Sequence, residues 1–377
     1  MVSLAKERSL AGHSNRVFHL RWSPAEPLCL ASVGEAEGCI WHNVGGDVRR
    51  VRFSGTELMR VCWSPDGARV LTGDGQGKID VRAAADGEKM ATLDASAEDE
   101  VYGLEMLSDE GLLAAGTGSC VQLWDLPTAT RKAQVALATA DGGVTFGGAA
   151  RNPESKAYIF GLAARGRVLS AALSDGTIRL MDSQTLQVLA TLTEHARRGA
   201  PAFGAAISPT SPLLASSDQE GTVLLWDMRS LGQGPLAETS SQHGAVHSVA
   251  FVPAGGVTGG GASELLVTGG DRSLSLHRTR TATLATAATA SSFNPVLCVD
   301  AVPASPATRV ASGGGAGSLI SDATISVWQV EWHHKRQREE EGDEKSNVAG
   351  SVRPSVSEST SSQSESTQSQ MCLPCGE

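Results

Sequence analysis

The sequence is poor in aromatic residues, 4% of 377 positions, and no apolar run approaches the ~18 to 20 residues that cross a membrane as a helix. It also lacks an excess of positive charge: 31 Lys and Arg against 41 Asp and Glu leave a formal net charge of −10. Binding to a polyanion draws on a Lys/Arg surface that neutralises phosphates, so no direct nucleic-acid partner is expected. Paired cysteines are missing too. The seven Cys are an odd number, and Cys29, Cys39, Cys62, Cys120 and Cys298 lie in or beside apolar strand-like runs. Free buried thiols in a reducing compartment follow. Charged Lys6, Glu7 and Arg8 stand where a signal peptide needs its apolar stretch. The expectation is a cytoplasmic or nuclear protein with no membrane association.

Signatures of catalysis are likewise missing: there is no nucleophile elbow, zinc-protease helix or carboxylate constellation. The segment Thr72-Gly73-Asp74-Gly75-Gln76-Gly77-Lys78-Ile79 imitates a phosphate-binding loop, but it lacks the Ser/Thr after Lys and runs into a strand. A strand-connecting turn is expected there. Cys372-Leu373-Pro374-Cys375 has metal or redox spacing but no second pair, and a structural zinc needs four ligands. No catalytic residue, metal or cofactor is expected.

What is present is a repeat. Hydrophobic residues make up 41% and Gly numbers 42, and short apolar runs alternate with Gly/Ser/Asp turns, which reads as an all-β chain. The clearest unit is Leu214-Ala215-Ser216-Ser217-Asp218-Gln219-Glu220-Gly221-Thr222-Val223-Leu224-Leu225-Trp226-Asp227, two strands about an acidic-Gly turn. Units of the same kind end near Trp41, Arg82, Trp124, Met181, Trp226, His277 and Trp328, about 41 to 57 residues apart. Some open on a His step, at Gly12-His13, Glu194-His195 and Gln242-His243. Several contain a Ser-Pro turn, as in Val61-Cys62-Trp63-Ser64-Pro65-Asp66-Gly67, where Pro presets the first central φ and Gly tolerates the exit.

Seven units in register resemble the WD-repeat family, whose period is about 40 to 45 residues. The resemblance covers 1–333. It implies a seven-bladed β-propeller of four-stranded antiparallel blades, closed by an N-terminal strand over Ser3 to Leu10. It also implies a hydrogen-bond tetrad within a blade, and here only the fifth unit offers a near-complete set: His195, Ser216 or Ser217, Glu220 in place of Asp, and Trp226. Function in such a family is protein–protein interaction. A non-catalytic scaffold in a multiprotein complex is therefore expected, with the propeller itself monomeric. Candidate partner anchors near strand starts on one face are Arg16, Phe18, Arg60, Tyr102, Arg197, Arg198, Phe203 and His247; inter-blade packing and solvated charge are the alternative roles for them. Trp226, Asp227 and Arg229 resemble a box by which some WD-repeat proteins dock on the adaptor of cullin-4 ubiquitin ligases. The alternative role of that box is the plain end of a strand. A propeller enzyme or small-ligand protein is a remote third reading.

Inserts at 140–155, 255–261 and 313–317 read as long loops at a propeller face. After Trp332 the composition turns to a basic run, an acidic run and a Ser/Thr/Gln/Glu tract. The segment 334–377 is expected to be a disordered tail, because it cannot bury enough apolar surface to offset its ordering entropy. Its Ser-Glu repeats could accept phosphate, and Lys335-Arg336-Gln337-Arg338 could serve in nuclear import.

Overall fold

A computed structural model describes residues 2–333 apart from 56, 108–110, 139–156, 241–243, 253–263, 272, 281–282, 293, 304–306 and 316–322. The expected tail at 334–377, the inserts at 140–155 and 255–261, His243 and the Cys372/Cys375 pair lie outside the described residues. The third insert is described only as far as Gly315.

Among the described residues, 28 strands form seven four-stranded antiparallel sheets. Six blades are consecutive meanders. The innermost strands are Val17–Trp22, Leu58–Trp63, Val101–Met106, Ile159–Arg165, Ala202–Ile207, Val246–Val252 and Val296–Val302. Each lies beside its counterpart in the next blade, and the last lies beside the first, so the ring is closed. The seventh blade takes its outermost strand from the N-terminus. Val2–Leu10 pairs antiparallel with Ile325–Trp332, Val2 opposite Trp332 and Leu10 opposite Ile325. A two-pronged ion pair fixes this seam: the Arg309 guanidinium donates to both Glu7 carboxylate oxygens at 2.7 and 2.9 Å, geometry in which an Arg pair is strongest.

A lone four-stranded sheet leaves apolar faces exposed, and the burial pattern shows how this chain covers them. In blade 1 the second and third strands send Leu30, Cys39 and Trp41 to one side and Ala31, Val33 and Ile40 to the other. The period-2 alternation of a strand thus feeds two separate cores. The same holds around the ring: seven hydrophobic clusters fill the spaces between consecutive blades, one per space. Each fully buried Leu, Val or Ile contributes roughly 1.5–3 kcal/mol, and its cover comes from the neighbouring blade.

The repeat positions read from the sequence coincide in space. Trp41, Arg82, Trp124, Met181, Trp226, His277 and Trp328 each stand opposite a buried aliphatic of the second strand, namely Leu30, Val70, Leu113, Leu169, Leu214, Leu266 and Val310. The Ser64-Pro65-Asp66-Gly67 segment closes as a turn, Gly67 donating its N–H to the Ser64 carbonyl at 2.9 Å with φ of +70°. The loop that imitates a phosphate cradle joins two strands, Arg69–Asp74 and Lys78–Ala83, through Gly77 at φ +77°. Helix among the described residues is confined to Glu194–Arg197 and a 3-10 turn at Leu231–Gln233, and none is long and apolar enough to cross a membrane.

Candidate functional site

Every innermost strand carries the same irregularity. Its pairing with the second strand skips one residue near the start, and the skipped residues are Phe18, Met59, Tyr102, Phe160, Phe203, His247 and Leu297. A β-bulge leaves its extra residue out of the ladder and re-aims the side chain. Repeated seven times at the inner edge, it sets a crown of half-buried side chains at one end of the central channel. On four consecutive blades the crown is a ring-to-ring arc. Tyr102 meets Phe160 edge-on at 6.3 Å between centroids, Phe160 meets Phe203 edge-on at 5.5 Å, and Phe203 stacks on His247 at 5.6 Å. These spacings lie in the favourable range for aromatic pairs.

Below the crown the channel wall is unevenly charged. Blades 7, 1, 2 and 3 supply Asp300, His19, Arg21, Arg60 and Glu105, whereas blades 4, 5 and 6 supply Gly161, Gly204, Ala205 and Ser248. Arg21 pairs with Glu105 of blade 3 and, at 3.7 Å, with Asp300 of blade 7. The Asp300 carboxylate also accepts the Trp22 N–H at 2.8 Å. Burial pushes the Glu105 and Asp300 carboxyls above the usual range, with the Arg21 charge working against it. Burial also holds the His19 imidazole well below its ordinary value, and its Nδ1 accepts the Val61 N–H at 3.3 Å. Arg60 donates to the carbonyls of Met59, at 3.0 Å, and of Phe160 across the channel. Its guanidinium lies 5.9 Å from the Tyr102 ring centre, a cation–π distance. Burial brings Arg60 down to about 10.

Of the sequence candidates, Phe18, Tyr102, Phe203 and His247 are crown residues, and Arg60 sits directly beneath them. Phe18 is half-buried, apart from the four-ring arc. His247 bonds Asp271 at 2.8 Å. The other three are exposed and stand outside the arc, each in an ion pair: Arg16 with Glu35, Arg197 with Glu194 and Arg198 with Glu238. Phe160 was missed. Its signal was there: a buried aliphatic, a large residue and then a small one, as in Val101-Tyr102-Gly103, Ile159-Phe160-Gly161 and Ala202-Phe203-Gly204.

The tetrad of blade 5 requires a correction. Its acid is Asp218 and not Glu220, and its hydroxyl is Ser216 and not Ser217. His195 bonds the Asp218 carboxylate through Nδ1 at 2.7 Å and Ser216 through Nε2 at 2.8 Å, while Trp226 donates its indole N–H to Ser216 at 3.0 Å. Asp218 is the last residue of the second strand and points inward. Glu220 is exposed in the turn, and the buried Ser217 hydroxyl has no partner among the described residues. Elsewhere among the described residues the set is partial. Blade 1 has His13, Ser32 and Trp41 in the same arrangement, blade 7 keeps Trp328 on Ser312, and in blade 3 Gln122 accepts from Trp124.

At the opposite end of the strands, Trp226 is 1% exposed and thus inaccessible to a partner. It anchors the strand that carries Asp227. Arg229, with 73% of its side chain exposed, folds back on Asp227 through Nε at 2.9 Å and Nη2 at 2.6 Å. That pair holds the Asp227 carboxyl down at about 2. Glu26, Cys29 and His42 also bring possible metal-ligand atoms within 4.8 Å of one another. Glu26 is exposed, however, and Cys29 meets His42 Nδ1 at 3.4 Å as a thiol that burial pushes up to about 12, so a thiol–imidazole contact accounts for the geometry.

The ring of seven four-stranded sheets makes this chain a β-propeller. Residues 186–227, which hold the complete tetrad, match the family described as WD domain, G-beta repeat. Seven blades repeating the same register around that match give the chain the architecture of a WD-repeat propeller. No curated protein matches it. Propellers of this class are in general interaction scaffolds and not enzymes.

Proposed function

We propose that this protein is a non-catalytic scaffold that binds a partner protein across the crowned mouth of its channel. One observation carries the reading: four aromatic rings in mutual contact on four consecutive blades, held on bulges of a closed ring. Rigid, partly desolvated aromatic anchors are the residues on which protein interfaces concentrate their energy, and a site on strands is better fixed than one on loops. We place the protein in the cytoplasm or nucleus, monomeric within a larger complex. The test is affinity capture from cells with quantitative mass spectrometry, comparing the wild type with Phe160→Ala/Phe203→Ala. Selective loss of a set of partners from the folded variant is the expected result; an unchanged set would remove this reading.

A second reading rests on the far end of blade 5. The exposed, Asp227-oriented Arg229 presents a planar cation suited to a directed ion pair, as docking on a cullin-4 ligase adaptor would need. Adaptor recovery in a pull-down should fall at least tenfold with Arg229→Ala, and equal recovery would end this alternative.

A further inference from the structure

Arg60 differs from the other cations on the crowned face. Arg16, Arg197 and Arg198 each hold a carboxylate, and so does Arg21 beneath the crown. Among the described residues no carboxylate lies within ion-pair distance of Arg60; its two acceptors are backbone carbonyls. A guanidinium has five N–H donors, so about three find no acceptor among the described residues. The nearby acids Glu105 and Asp300 are engaged by Arg21. Burial that pulls the Arg60 pKa down marks a cation short of compensation. It sits where the arc begins, against Tyr102 and the Phe160 backbone.

We infer that the mouth of the channel recognises a peptide segment carrying an Asp or Glu beside a large apolar residue, the carboxylate seated on Arg60 and the apolar side chain on Phe160 and Phe203. This rests on the reading of the crown as the docking face and adds the chemistry of what docks. A single unpaired cation matches a single negative charge. A phosphate dianion calls for more than one, and Arg21, the next cation inward, is already neutralised. A positively charged ligand is disfavoured, because it would meet Arg60 in a region of low dielectric. A charge-assisted, partly buried hydrogen bond of this kind is stronger than a neutral one.

The test selects a random heptapeptide display library on the immobilised full-length protein, then measures synthetic copies of the recovered peptides by fluorescence polarisation. Recovered sequences should share an Asp or Glu next to Leu, Phe, Tyr or Trp. Changing that acid to its amide should weaken binding to the wild-type protein at least tenfold, a comparison that needs no altered protein. Arg60→Met should weaken the acidic peptide at least tenfold and leave the amide peptide unchanged. Amide and acid binding equally, a shared Lys or Arg, or tighter binding of a phosphoserine peptide would each overturn the inference. If Phe203→Ala abolishes binding while the acid-to-amide change does not, the docking face survives and the carboxylate assignment falls. If no peptide is recovered, or neither Phe203→Ala nor Arg60→Met has an effect, both fall.

Discussion

Blades 1 and 5 share a buried chain of hydrogen bonds and differ at its end. In each, a Trp indole donates to a Ser that a His ring nitrogen also contacts: Trp41, Ser32 and His13 in one, Trp226, Ser216 and His195 in the other. In blade 5 the chain continues to Asp218, which also accepts the Thr222 N–H at 2.7 Å. At the same register blade 1 has Gly34 opposite Val17, where blade 5 has Asp218 opposite Ala202. A Cβ at Gly34 would lie 2.1 Å from the Arg16 carbonyl oxygen. No acid fits there, and Glu37 instead accepts the Ser14 N–H and hydroxyl. Both blades reach the same four-stranded form, so the blade is specified by its bulge and its two apolar faces. The tetrad reinforces it.

The largest effect should come from removing what blade 5 has and blade 1 lacks. Asp218→Ala strands a buried imidazole and the Thr222 N–H together. Each buried donor left unsatisfied costs about 1–3 kcal/mol, so with two stranded, urea denaturation should show a loss of about 3 kcal/mol or more. A loss under about 1 kcal/mol would mean that the acid is dispensable in blade 5 too.

The His of blade 1 provides the next test. Burial lowers the His13 pKa from 6.5 to about 4, with Glu37 opposing the shift and Arg52 and Arg50 adding to it. Between those values the unfolded chain binds a proton that the folded chain does not. Stability is therefore highest above the unfolded pKa and falls as pH drops through the window, by about 3 kcal/mol in all. His277, brought to about 4 by burial, acts in the same direction. The pH slope of stability between neutral and acid pH should flatten in His13→Gln; an unaltered slope would show that the folded blade tolerates the imidazolium.

Supplying the missing acid to blade 1 should fail. Gly34→Asp places a Cβ against a backbone carbonyl that cannot swing aside, and overpacking of this kind costs about 1–3 kcal/mol. The check is thermal unfolding, and a rise in midpoint would mean that the strand can shift and that the two blades are interchangeable.

The sequence disclosed what depends on local order and concealed what depends on ring closure. The Trp-equivalent positions were readable even where Arg82, Met181 or His277 replaced Trp, because apolar alternation and turn chemistry fix the register around them. The choice between Asp218 and Glu220 was not readable, since two acids in one turn differ only in which ends the strand facing inward. Arg21, Glu105 and Asp300 are far apart in the chain and meet only across the channel, so no spacing announces them. Phe160 lay in between: its local pattern matched the other crown residues, but its place in the arc required four blades in sequence.

The smallest effect should arise in blade 2, which lacks the whole Trp–Ser–His chain. Arg82 occupies the Trp position, 6% exposed, with its guanidinium 4.6 Å from the Phe53 ring centre and 2.8 Å from Asp80. It resembles a buried ion pair whose rupture would be severe. The partner argues otherwise. Asp80 also holds Lys89 at 2.8 Å and the Thr92 hydroxyl at 2.6 Å, so loss of Arg82 does not isolate a buried charge. The Arg82 Nε already lacks a partner among the described residues, and a long apolar side chain keeps the packing on Phe53. Arg82→Met should therefore cost only about 1 kcal/mol, well below Asp218→Ala in the same urea assay. A cost equal to that of Asp218→Ala would show that each blade needs its own buried polar anchor whatever its chemistry, reversing the lesson of blades 1 and 5.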